Sequence, residues 1–105
     1  MSAVLDRTLE QRLAALAKAN RIRFARAALK VAIRDGDIEA WTVVDAPHPD
    51  YETMRVVDLL AAVPGLGPVK VRRLMRTHQV SETKTLAGLT RRQRDELVTR
   101  LRSRP

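Results

Sequence analysis

At 105 residues the chain has room for one small domain with a single modest core. It has no cysteine, so disulfides, thiolate metal sites and thiol nucleophiles are excluded together. Twenty Lys and Arg stand against twelve Asp and Glu, a formal net charge of +8 that points to a polyanionic partner.

In chain order, the first element is one long helix over residues 6–34. It lacks Pro and Gly, is rich in Ala, Leu and Arg, and stops at Asp35-Gly36. Leu13, Ala17, Phe24, Ala28 and Val31 fall on one side of it at about 100° per residue. Arg12, Arg23, Arg26, Lys30 and Arg34 fall on another side, with no acidic residue interleaved. That stripe is either a solvated charged face or a second contact for a polyanion, with Arg12, Arg23, Arg26 and Lys30 as its candidates. Asp37 is placed to cap a short helix over residues 38–44. A Pro-broken loop at 46–50 precedes a helix over 54–63, where Val56, Leu59, Leu60 and Val63 recur at helical spacing. Pro68 suits the first position of the next helix, which runs to residue 77. Residues 81–89 read as an irregular connector, with Gly88 allowing a tight turn. Thr90-Arg91-Arg92-Gln93 is a capping box that opens a last helix to residue 102. No strand pattern and no internal repeat is present, so the fold class is all-α.

The most specific stretch is residues 56–71, which reads helix, Pro-Gly-apolar-Gly, helix: the helix-hairpin-helix pattern. Gly65 and Gly67 let the backbone turn tightly and approach a ligand with no Cβ in the way. Leu66 between them is placed to plug the space between the helices. The leading N–H groups of the second helix lack intrahelical partners and sit at the positive end of its dipole, which suits a phosphate oxygen. In that helix Val71, Leu74, Met75 and His78 share one face, Arg72, Arg73 and Arg76 lie opposite, and Lys70 is at the edge.

Charge is distributed in three blocks. Residues 1–34 carry eight basic and two acidic side chains, residues 35–63 one and seven, and residues 64–105 eleven and three. The acidic middle reads as a solvated face held away from a polyanion. Sixteen of the twenty cations are arginine, the residue shaped for bidentate phosphate contacts. An enzyme is disfavoured. Lys70 could pass for a lysine nucleophile of the glycosylase kind, but no Asp follows it before Asp95. His48 lies in a loop and His78 on an apolar face, and no carboxylate pair sits near either at ligand or acid–base spacing. Trp41 and Tyr51 read as core anchors. No catalytic residue, metal site or cofactor is assigned. No apolar run is long enough to span a bilayer and the N-terminus lacks a signal-peptide apolar region, so the chain is expected to be soluble and cytoplasmic.

Glu10-Gln11-Arg12, the Arg/Ala-rich first helix, residues 54–60, residues 63–70, Gly88-Leu89 and Arg92-Gln93 together resemble the actinobacterial integration host factor family. These are small nucleoid-associated proteins, unrelated in fold to the enterobacterial heterodimer of the same name. The resemblance implies a long N-terminal helix over residues 1–35, then a helix-two-turn-helix domain like that of ribosomal protein S13 over residues 36–105. It implies a monomer in the cytoplasmic nucleoid that binds double-stranded DNA with little sequence preference. Bending or compaction of that DNA would assist a site-specific recombinase acting on it. Two segments would contact DNA. The first is the turn, Val63, Pro64, Gly65, Leu66, Gly67, Pro68, Val69 and Lys70, with Arg73 beside it. The second is the connector, represented by Ser81, Lys84, Thr85, Gly88, Arg91, Arg92 and Gln93. The chain departs from the family in both. Pro68 stands where the family has Lys, and the arginine-rich connector appears as Lys84-Thr85-Leu86-Ala87-Gly88-Leu89-Thr90, with Arg91 and Arg92 just beyond it to compensate.

Two other readings remain open on the residues alone. One is an RNA- or ribosome-associated module of the S13 kind, although three aromatics leave few for stacking on single-stranded bases. The other is a protein-interaction adaptor that uses the acidic middle or the basic first helix.

Overall fold

The computed structural model describes residues 3–103, with side chains from Thr8 onward. The uninterrupted run of helix formers becomes α1, Ala3–Arg34, a rod about 48 Å long at 1.5 Å per residue. It gives the molecule its elongated outline of 61 × 27 × 23 Å. Gly36 ends it with φ of +85°, a conformation that favours glycine. The amide of Asp37 reaches back to the Ala32 carbonyl at 2.8 Å, closing the last turn. That bond explains a departure from expectation: Asp37 completes α1 and does not cap the next helix. The second helix, α2, spans Ala40–Asp45, and its N-cap Glu39 makes no side-chain capping bond.

A short 3-10 turn, Pro49–Tyr51, interrupts the loop that follows. The helix expected over 54–63 is shorter, α3 at Val56–Ala61, because Met54 and Arg55 pair with the connector instead. Next come α4, Pro68–Thr77, and α5, Arg91–Arg102. The capping box of α5 forms as read: Thr90 Oγ1 accepts from the Gln93 amide, and Gln93 Oε1 accepts from the Thr90 amide. Among the described residues there is no strand, so the all-α architecture holds.

The core is aliphatic. Val44, Val56, Leu59, Leu60, Leu86 and Leu97 are its fully buried centre, with Val71, Leu74, Met75 and Leu101 around them. Trp41 and Tyr51 pack against the edge of this cluster rather than inside it. The guanidinium of Arg102 lies 4.6 Å from the Trp41 ring centre. Among the described side chains of α1, only Leu29 and Ile33 are buried. The apolar side that periodicity picks out in α1 therefore faces away from the core: Leu13, Phe24 and Val31 are exposed, as are Ala17 and Ala28. The helix docks by its opposite face and by the loop before α3. There Arg21 holds the Asp50 carboxylate at 3.0 Å, and Arg26 donates to the Asp50 carbonyl and to Thr53 Oγ1.

The connector is more ordered than an irregular link. Val56 N–H donates to the Lys84 carbonyl and Leu86 N–H to the Met54 carbonyl, both at 2.9 Å, forming an antiparallel bridge of Arg55 with Thr85. Leu86 and Leu89 anchor it in the core. Arg94, half-buried, completes the attachment. One guanidinium donates to the Val44 carbonyl at 2.6 Å and to the Leu86 carbonyl at 2.9 Å, joining α2, connector and α5. Hydrogen bonds from a charged donor contribute about 1.5–3 kcal/mol each. Arg94→Met is accordingly expected to lower unfolding stability by about 2–3 kcal/mol. Arg94→Lys should recover less than half of that, because a compact ammonium cannot span carbonyls of two elements. Urea unfolding of the three proteins decides it; full recovery by lysine would mean that charge alone matters.

Candidate nucleic-acid interface

The turn between α3 and α4 follows from its residues. The Leu66 amide donates to the Val63 carbonyl at 3.1 Å, with Pro64 and Gly65 between them. Proline at the second position and a glycine with φ of +82° at the third make this a type II turn, which requires positive φ there. Leu66 is half-buried and packs against the core between the helices, as its position implies. Gly67 is the N-cap of α4 with φ of −74°, and its carbonyl accepts the first helical bond, from Val71 at 3.0 Å.

Three amides are left over. The N–H groups of Gly67, Val69 and Lys70 donate to nothing among the described residues, and Pro68 between them has no N–H to satisfy. All four residues are exposed. A Cβ on Gly67 would meet nothing within 4 Å. Neither φ nor internal packing therefore demands glycine at 67; what surrounds it is open space at the start of α4. The result is a bare helix N-terminus on the surface, ready for an anion.

Cations flank it. Lys70, Arg72, Arg73 and Arg76 are exposed on α4, while Val71, Leu74 and Met75 are buried, so the division of that helix into two faces stands. Lys70 and Arg73 share a depression of about 630 Å³ with Arg100 of α5, over a floor that includes Leu66 and Leu74. Arg100 went unnoticed in the sequence because nothing local ties it to residues some 30 positions earlier; only the packing of α5 beside α4 does so. His78, at the rim, sits 3.3 Å from Glu96 and is half-buried.

The connector residues divide. Ser81, Gly88, Arg91 and Arg92 are exposed, and Lys84 and Thr85 are half-buried. Thr85 Oγ1 accepts from the Gly88 amide at 3.2 Å, and a Cβ on Gly88 would press on that same oxygen at 3.0 Å. A side chain at 88 would thus require Thr85 to give way by a few tenths of an ångström. Arg92 donates to the Gln79 side chain at 3.0 Å. Gln93 is buried and spends its amide on the Thr90 backbone and the Gln79 carbonyl, so it supports the connector and does not face outward. Gln79 follows the C-cap of α4, so the turn and Arg92 lie near opposite ends of a helix about 15 Å long. On α1, Arg12 and Arg23 are exposed and Lys30 half-exposed, whereas Arg26 is taken up by the loop at residues 50–53. Among the described residues no cluster of His, Cys, Asp or Glu has the makings of a metal site. No helix among the described residues is long and apolar enough to cross a membrane.

Fold and turn define a helix-two-turn-helix protein. The S13-like H2TH domain family matches residues 43–101, more than half of the chain. Two curated relatives, the proteins named Integration host factor in Mycobacterium tuberculosis and in Mycolicibacterium smegmatis, are each 39% identical over 93 residues. The alignments cover 87% of this chain and 89% of each relative. The chain belongs to the actinobacterial integration host factor family. A solved structure of sIHF bound to an 8-base-pair palindromic DNA superposes with a TM-score of 0.74 at 25% identity, covering 81% of this chain and 98% of that one.

The two turn glycines are expected to separate in stability measurements. Gly65→Ala should cost about 1–2 kcal/mol, the penalty of holding a side chain at positive φ. Gly67→Ala should cost less than about 1 kcal/mol, since only a modest capping preference is lost. Equal losses in thermal or urea unfolding would show that Gly67 too is held by the fold.

Proposed function

We propose that this chain is a nucleoid-associated architectural protein. It binds double-stranded DNA through backbone phosphates with little sequence preference, and it is not an enzyme. The observation that carries the reading is the set of exposed, unpartnered amides at Gly67, Val69 and Lys70, flanked by Lys70, Arg73 and Arg100. Such a surface offers phosphate oxygens neutral donors and cations together, and it offers base edges nothing distinctive. Support comes from the relatives' name and from the sIHF structure, which holds duplex DNA. Lys70 has no carboxylate paired to it among the described residues, which favours a phosphate contact over nucleophilic chemistry. On this reading Arg91 and Arg92 supply the charge of the connector, and the duplex is bent or compacted in support of a site-specific recombinase on the same DNA. The protein acts in the cytoplasmic nucleoid.

The two kinds of donor leave different traces in a salt titration. Cations release counterions from DNA, and neutral amides do not. Lys70→Gln or Arg73→Gln should weaken binding to unrelated duplexes alike and reduce the slope of log affinity against log salt by about one unit each. Gly67→Ala should weaken binding as well, because its methyl shields the amides, while leaving the slope unchanged. An unaltered affinity for Gly67→Ala would dismiss the amide contact. Structured RNA outcompeting duplex DNA of equal length would favour the RNA-associated alternative.

A further inference from the structure

The exposed side of α1 has a pattern that neither the core nor the turn explains. Leu9, Leu13, Leu16, Asn20, Phe24, Ala27 and Val31 are separated by 4, 3, 4, 4, 3 and 4 residues. At about 100° per residue they fall within an arc of about 80°, diametrically opposite the face that carries Leu29 and Ile33. All seven are exposed; Phe24 is 74% accessible and Leu16 61%. A repeat of eleven residues matches 3.67 residues per turn, so the stripe runs almost straight along the helix.

The spacing reads the same in both directions about Asn20. A second copy laid antiparallel, with its own Asn20 opposite, brings Leu9 against Val31, Leu13 against Ala27 and Leu16 against Phe24. Large residues meet smaller or flat ones, and the one polar residue meets itself on the two-fold axis, where its amide can donate and accept. A single polar side chain within an apolar seam specifies register at some cost in stability. From this self-complementarity we propose that α1 is a homotypic docking surface, on which two copies of this chain pair antiparallel about Asn20.

The size of the surface fixes the strength of the contact. A stripe about 33 Å long on a helix about 10 Å wide offers about 330 Å² of projected area. That is well below the roughly 800 Å² per partner of a standard interface. The pairing is therefore weak and reversible. Charge weakens it further. Arg12, Arg23 and Lys30 border the stripe on one flank and make no ion pair among the described residues. The two-fold axis places these flanks of both copies on the same side, with Arg12 of one near Lys30 of the other. Salt that screens this repulsion strengthens the pairing, the reverse of its effect on phosphate binding. One consequence rests on the proposed function. The two α1 C-termini would stand about 42 Å apart, each presenting its domain to a separate duplex.

The chain contains no cysteine, so single-cysteine variants of the full protein report the geometry directly. Without DNA, Asn20→Cys should form disulfide-linked dimers about tenfold faster than Ala14→Cys on the far side of α1, since pairing raises effective concentration. The ratio should grow from roughly 0.05 to 0.5 M salt as screening improves. Adding Leu16→Glu and Phe24→Glu should return the rate to that of the control. Both side chains are exposed, and helical circular dichroism checks that the fold is kept. Equal rates for Asn20→Cys and Ala14→Cys at every salt would overturn the proposal. So would faster crosslinking by Leu9→Cys, whose copies lie about 33 Å apart in this register and side by side in a parallel one. DNA affinity is measured separately, and either reading can fail alone.

Discussion

The left-handed backbone at Gly65 governs the rest of this domain. With Pro64 before it, positive φ at this one residue reverses the chain within four residues. That lets Leu59 and Leu60 of α3 share a core with Val71, Leu74 and Met75 of α4. A longer link would have allowed the chain to fold back over the start of α4. The short turn forbids it, and the leading amides of α4 stay on the surface with no partner. The neighbouring glycines thus differ: Gly65 holds the reversal, and Gly67 leaves open space at the start of α4.

What was legible in the sequence depended on how far apart the interacting groups lie. The Pro-Gly turn, the Thr90–Gln93 capping box and the stop at Gly36 are decided by residues within five positions, and each forms as read. The split of α4 into an apolar and a basic face is equally local. The failures concern distant partners. Asp37 has the right side chain for a cap, but it still belongs to the last turn of α1, and the next helix begins only at Ala40. Arg26 belongs to the basic stripe by periodicity, yet its hydrogen bonds go to residues 24 and 27 positions away. Arg94, which no local pattern singles out, holds the connector to α2. Periodicity in α1 picked out the side of Leu13, Phe24 and Val31 and passed over the one that turns inward, because Leu29 and Ile33 have no stronger local signature.

The three charge blocks take on a more particular meaning in three dimensions. Asp50 of the acidic middle neutralises Arg21 and, through its carbonyl, engages Arg26. Asp58 pairs with Arg55, the N-cap of its own helix. Part of the acidic segment thus fixes the direction in which α1 leaves the domain. Exposed cations lie beyond it on α4, at both ends of α5 and along α1. Surface ion pairs contribute little on their own, so their importance here is positional: they settle which arginines are engaged within the chain and which remain for a partner.

The composition of α1 is the last element to account for. Its first buried side chain among the described residues is Leu29, and Arg21 and Arg26 hydrogen-bond the helix to the loop at residues 50–53. Residues 8–20 therefore form about the shortest helix that survives alone in water. Ala and Leu supply propensity for that, but Phe is a mediocre helix former, and at residue 24 it is three-quarters exposed. A helix required only to stand free would carry polar residues at positions 9, 13, 16 and 24, since burying each apolar side chain is worth about 1.5–3 kcal/mol that a monomer forgoes. The same helix edges that stripe with cations whose repulsion opposes pairing. A polyanion laid along the flank removes the repulsion, so phosphate binding and pairing would each strengthen the other by the same factor, as linkage requires. On that reading α1 is built to be incomplete in the single chain, and what completes it is a second chain.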